Sequence, residues 1–128
     1  MAEITICNVE ALGKPLGQYS HMTRVKGASE TLYLAGMVSP GDDFDTQCSG
    51  AFAQIEKALA SAGAGWKNVV QFTTYLVHSQ DIAKFMAWRL REFPKRFPDG
   101  KYPPNTLLII DRLVSEQYLI EVQTVAAL

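Results

Sequence analysis

Net charge is nearly missing from this sequence: twelve lysines and arginines face thirteen aspartates and glutamates, leaving −1 over 128 residues. A general nucleic-acid binder needs a basic footprint to neutralise phosphates, so nucleic acid is not expected as a partner. Cysteine is scarce as well. Cys7 and Cys48 fall in separate predicted elements and form no Cys-x-x-Cys pair, which removes zinc ribbons and dithiol redox motifs. Each is read as a small buried apolar residue rather than a reactive thiol. The two histidines, His21 and His78, lack metal-ligand spacing. Asp42, Asp43 and Asp45 lack the calcium-loop pattern and are better explained by helix capping. No metal and no cofactor is implied. No apolar run approaches the roughly 20 residues of a membrane span, and Met1-Ala2-Glu3 does not open a secretion signal. A cytoplasmic protein without membrane contact is expected. Repeats, linkers and low-complexity tracts are also absent, so residues 1–128 are read as one domain.

What is abundant is core material. Apolar residues make up 48% of the chain and aromatic residues 10%, far from a disordered composition. Residues 4–9 read as a first strand. Residues 12–20 hold Gly13, Pro15 and Gly17 and read as loop. Two strands follow over 21–26 and 31–35, with Gly27-Ala28-Ser29-Glu30 as the expected hairpin connection. Cys48, Ala51, Phe52, Ile55, Ala58, Leu59 and Ala62 recur at three-and-four spacing, which predicts a helix. Asp43 or Asp45 can cap its start, and Gly63 or Gly65 can end it. Residues 69–77 form a strand whose second face, Val69, Gln71, Thr73, Tyr75 and Val77, is apolar enough to be partly covered. Helices on one side and a subunit interface on the other would explain that. A second helix starts at Asp81, with Ile82, Phe85, Met86 and Leu90 as its inner face. It ends before Pro94 or shortly after. Strands over 106–110 and 118–126 complete an α+β pattern.

Several stretches resemble the Rid family, also known as YjgF. Leu16-Gly17-Gln18-Tyr19-Ser20 resembles its Gly-Pro-Tyr loop, with Gln18 in place of proline. Leu32-Tyr33-Leu34-Ala35-Gly36 is similar to a strand ending in Ser-Gly. Gln47 heads the first helix, as in the family, and Ala62-Gly63 closes it. The strand from Val69 to Leu76 and the terminal Leu119-Ile120-Glu121-Val122-Gln123-Thr124-Val125-Ala126 match two family strands. The resemblance covers nearly the whole chain, and the order and spacing of its motifs make it specific. It implies a chorismate-mutase-like fold: a mixed sheet with two helices packed on one face, in a homotrimer with a barrel-like core and clefts between subunits. It also implies a small-molecule ligand. Active members hydrolyse enamines and imines to keto acids and ammonia.

The resemblance also implies a site. Family deaminases grip the substrate carboxylate with an arginine fork, which makes two charge-assisted hydrogen bonds. Here that stretch reads Tyr102-Pro103-Pro104-Asn105-Thr106, and Asn105 carries no charge. Asn105 either marks a changed substrate or only satisfies a turn. Glu121 matches the glutamate that positions water, and Tyr19 matches a tyrosine able to close over a ligand. Ala35 stands where many members have serine, and Gly36 and Met37 lie where backbone can approach a ligand. Met86 replaces a common asparagine. Trp88 is placed with it as lining a less polar cleft, with packing as the other reading. Arg24, Arg89, Arg91, Arg96 and Arg112 are the candidates for a replacement charge. Arg112 is nearest in sequence but a strand of about 3.3 Å per residue separates it from Asn105. Lys95, Arg96 and Lys101 form a small basic patch with Phe97 and Tyr102, read as solvated surface. These residues point to an atypical imine or enamine hydrolase in which Glu121 handles water or a proton. A metabolite- or partner-binding trimer without chemistry is the alternative. RNA cleavage rests only on family labels.

Overall fold

The computed structural model describes residues 2–128. Its elements are β1 (Glu3–Cys7), β2 (Met22–Lys26), β3 (Thr31–Tyr33), α1 (Phe44–Ser61), β4 (Val69–Leu76), α2 (Asp81–Arg96), β5 (Asn105–Ile109) and β6 (Ile120–Ala127). Short 3-10 turns at Glu10–Leu12 and Trp66–Asn68 fill two connections. Strands β3, β6, β4 and β5 form one mixed sheet in that order. β6 runs antiparallel to both β3 and β4, and β5 runs parallel to β4 after the α2 crossover.

α1 forms where the apolar spacing predicts it. Asp43 is its N-cap and accepts from the Thr46 N–H at 2.8 Å, which holds its carboxyl below the usual range. The exit is a Schellman turn. Gly63 takes a left-handed φ of 75°, and Ala64 N–H reaches back to Leu59 O at 2.9 Å. Residues Cys48, Ala51, Phe52, Ile55 and Leu59 are buried against the sheet. Their side of the sheet carries Phe72, Thr74 and Leu76 from β4 and Ile120, Val122, Thr124 and Ala126 from β6, all buried. Burying these side chains removes apolar surface from water at about 25 cal/mol per Å², and this is the main force holding helices on sheet.

The expected hairpin does not form. β2 pairs with β1 in a separate two-stranded sheet, and β3 pairs with β6. Ser29 and Glu30 N–H both donate to Leu128 O instead, at 2.8 and 3.3 Å, and Leu128 N–H returns a bond to Glu30 O at 2.9 Å. That ladder carries β3 to the far side of β6.

The inner face of α2 also differs from expectation. Phe85, Trp88, Arg89 and Phe93 are buried, while Leu90 is 65% exposed and Met86 also faces outward. The helix continues past Pro94 to Arg96. A bulge between Val69 and Gln71 in β4 turns Val69 into the core and breaks the alternation expected there.

Candidate functional site

Glu121 is placed by a clamp set far away in sequence. Gln47 is buried in the first turns of α1. Its Nε2 donates to Gly41 O at 3.1 Å and Gln117 O at 2.9 Å, and its Oε1 accepts from Leu119 N–H at 2.8 Å. Leu119 leads directly into β6, so these bonds fix where that strand begins. Across the strand, Leu34 N–H donates to Thr124 O, while Met37 and Val122 exchange both of their bonds. Ala35 and Gly36 therefore oppose Gln123 alone, and the extra residue makes a bulge. Gly36 lies beneath the Glu121 side chain. A Cβ there would sit 2.6 Å from Cδ and 2.8 Å from Cγ of Glu121. Any side chain at position 36 would therefore push the Glu121 carboxylate out of this place.

Glu121 is half-buried and lies opposite Tyr75, on the side of the sheet away from the helices. Leu108, across β4 from it, shares that side. Among the described residues, no lysine, arginine or histidine forms an ion pair with it. Gly36 thus lies against Glu121, while the neighbouring Met37 is bonded to Val122 and packs against the core on the helix side.

Tyr19 and Met86 belong to a second group. Tyr19 is half-buried, and its hydroxyl accepts from Leu16 N–H at 3.3 Å. A Cβ on Gly17 would lie 3.5 Å from both Met86 Cε and Arg89 Nη2. The loop thus rests on α2 through these two side chains. Arg89 is 4% exposed. Its Nη1 donates to Gln18 O at 3.2 Å, its Nε has no partner, and its guanidinium lies 4.4 Å from the Phe85 ring centre. Burial lowers its pKa to about 10, below the ordinary guanidinium range. Of the five candidate arginines, Arg91, Arg96 and Arg112 pair with acids, and Arg24 is exposed. Arg89 is the one that is buried without a carboxylate partner among the described residues.

Asn105 stands apart from both groups. It opens β5 opposite Phe72, and its Oδ1 accepts from the buried Thr74 hydroxyl at 2.7 Å. It therefore belongs to the helix side of the sheet, whereas Glu121 belongs to the other. Thr106 is exposed and pairs with Thr73, on the same side as Glu121. Trp88 does not line a cleft. It is fully buried, stacked on Phe52 at 4.7 Å between ring centres, with Nε1 donating to Ser49 Oγ at 2.9 Å. Residues 85, 88, 89 and 93 share one helical face, which directs Trp88 into the core.

Cavities of about 470, 310 and 250 Å³ lie elsewhere, and neither Glu121, Tyr19 nor Asn105 lines them. Among the described residues, no three His, Cys, Asp or Glu side chains group as metal ligands. No helix there is long and apolar enough to cross a membrane.

The model of the family described as Endoribonuclease L-PSP matches residues 10–128. The chain belongs to this family. Its fold is that of the Rid, or YjgF, proteins. The Rid-family protein YyfB of Yersinia pestis, described as of unknown function, superimposes with a TM-score of 0.83 at 23% identity, over 98% of each chain. Rv2704 of Mycobacterium tuberculosis, from the YjgF/YER057c/UK114 family, gives 0.66 at 24% identity, over 98% of this chain and 100% of its own. Escherichia coli TdcF, solved with bound serine, gives 0.69 at 14% identity, over 77% and 81%. The resemblance read from the loop, helix and strand motifs is thereby borne out, as is the α+β fold with two helices on a mixed sheet.

Two residues of this L-PSP family chain join the surroundings of the site without a motif of their own. Thr74 holds Asn105 through its hydroxyl. Arg89 was one of five arginines, yet its spacing from Phe85 and Phe93, four residues each way, marks it as facing inward.

Proposed function

We propose that this chain binds a small metabolite in clefts completed between its own copies, as an atypical imine or enamine hydrolase with Glu121 as the acid–base group. The observation that carries this reading is the unpaired, half-buried Glu121 carboxylate resting on Gly36. A carboxylate without a protein partner is available to water or to a ligand's proton. Its side of the sheet supports a homotrimer: Tyr33 is 78% exposed and Leu108 is 39% exposed there, and apolar side chains in such a patch favour contact with another subunit. TdcF's bound serine supports a small polar ligand. Asn105 offers an amide in place of a cation, so the reading favours substrates less anionic than 2-imino acids. Tyr19 and Met86 border the cleft, and Arg89 is the cation nearest to them.

The test combines mass and turnover. A trimer in solution is expected, and a monomer would remove the cleft. Glu121→Gln should abolish hydrolysis of a neutral imine or enamine while leaving the trimer and its melting temperature intact. Unchanged rates would sink the assignment.

A second reading is a binding trimer without chemistry. It is favoured by Asn105, whose acceptor oxygen is already occupied by Thr74. It predicts ligand-dependent thermal stabilisation with no product formed.

A further inference from the structure

The cavity of about 470 Å³ opens between β1, the turn at Trp66–Asn68 and the C-terminal end of α2. Its volume is in the range of small-molecule sites, about 300–1,000 Å³. One wall is apolar. Ile4 and Ile6 come from β1, and Trp66 meets Phe97 edge-on with ring centres 6.0 Å apart. Trp66 is half-buried, so part of its indole remains open.

The rest of the lining is mostly cationic: Lys67, Arg96 and Lys101 against Asp99. Asp99 is turned into its own loop, where Oδ1 accepts from Lys101 N–H at 2.9 Å. Lys67 and Lys101 are exposed and make no ion pair among the described residues. Arg96 is already paired with an acid on one side: Nη1 donates to Glu92 O at 3.0 Å and lies 3.6 Å from Glu92 Oε1, and the guanidinium lies 5.6 Å from the Trp66 ring centre. Its Nε is buried without a partner. Of the basic patch read from the sequence as solvated surface, Arg96, Phe97 and Lys101 line this concave site, whereas Lys95 and Tyr102 do not.

Each chemical class of occupant fits this lining to a different degree. A bare inorganic anion would leave the indole and isoleucines wet. A neutral aromatic would leave both ammonium groups unused. A nucleic-acid strand needs a longer cationic track than three side chains provide. We infer that this cavity is a second binding site, for a small organic anion with a flat apolar body, such as an aromatic carboxylate. The ring lies against Trp66, and the carboxylate meets Lys67 and Lys101.

The experiment uses 1-naphthoate as probe, with 1-naphthalenemethanol and acetate as controls. Binding is followed by the two tryptophan indole N–H signals in ¹⁵N-labelled protein. Saturable movement of the Trp66 signal with naphthoate is expected, with Trp88 little changed. The double variant Lys67→Gln/Lys101→Gln should weaken binding by about tenfold or more; both side chains are exposed, so its melting temperature should match the parent. Glu121→Gln should bind naphthoate as the parent does, which separates this site from the proposed cleft. Equal binding of the neutral alcohol, equal binding of acetate, or an unaffected lysine variant would overturn the inference. So would movement of Trp66 with a short RNA oligonucleotide but not with naphthoate.

Discussion

Thr74 donates its hydroxyl to Asn105 Oδ1 at 2.7 Å, joining β4 to the first residue of β5 beneath α2. Thr74 is fully buried, so its hydroxyl depends on that acceptor. Asn105→Ala should cost about 1–3 kcal/mol, the range for stranding a buried donor. Thr74→Val combined with it should cost less than the two single changes summed. Urea denaturation of the four proteins measures this. Additivity within about 0.5 kcal/mol would mean that the bond contributes nothing. Asn105→Arg strands the same hydroxyl, because guanidinium accepts no hydrogen bond. A gain of imino-acid hydrolysis is therefore expected more clearly in Asn105→Arg/Thr74→Val than in Asn105→Arg alone.

Gly36 and Glu121 give a second cycle. Alanine at position 36 would overlap the Glu121 side chain. Gly36→Ala should destabilise by about 1–3 kcal/mol, as overpacking does. Glu121→Ala should recover most of that loss, since it removes the atoms struck. If the double variant is no more stable than Gly36→Ala, the strain lies in the backbone bulge instead.

Arg89 makes a prediction with a pH sign. Burial lowers its folded pKa to about 10, below that of the unfolded chain, so above pH 10 the unfolded chain binds more protons than the folded one. The penalty for burying the charge is fully present below pH 10 and is relieved as pH rises above it. The stability of the parent relative to Arg89→Met should therefore rise over that window. At pH 7 the methionine variant should be as stable as the parent or more so. A loss above about 1 kcal/mol would reveal an anionic partner for Arg89 in the assembled protein.

The two thiols should separate cleanly. Cys48 is fully buried, and burial pushes its pKa well above the ordinary value. Cys7 is only partly buried. A thiol reagent should label Cys7 in the native protein and reach Cys48 only after denaturation. Rapid native labelling of Cys48 would mean that α1 opens locally.

The elements easiest to read were those whose pattern allowed one answer. α1 has a single apolar stripe, an aspartate cap and a glycine exit, and all three appear where expected. α2 has two stripes at the same spacing. Ile82, Phe85, Met86 and Leu90 look purely apolar, while Phe85, Trp88, Arg89 and Phe93 contain a charge. The second stripe won because two large aromatic rings bury more surface than methionine and leucine, and Arg89 can lie flat on phenyl rings. The hairpin failed for a long-range reason: the bonds from Ser29 and Glu30 to Leu128 cross about a hundred residues, which local turn chemistry cannot reveal. In the site, Glu121 and Gly36 are each legible from the family motifs, but the contact between them is not, because it depends on the bulge opposite Gln123. Asn105 was legible as a missing cation but not as the acceptor for Thr74, because that depends on the register between two parallel strands.

The strand order carries a consequence for synthesis. β6 lies inside the sheet, between β3 and β4, yet it follows every other element along the chain. Until it leaves the ribosome, nothing bridges β3 to β4, and α1 lacks much of the surface on which it rests. Vectorial translation therefore yields a set of waiting parts, with β4 presenting one open edge to solvent or to a chaperone. The residues that close the sheet also deliver Glu121, so a nascent chain cannot acquire this carboxylate in place before its architecture is complete.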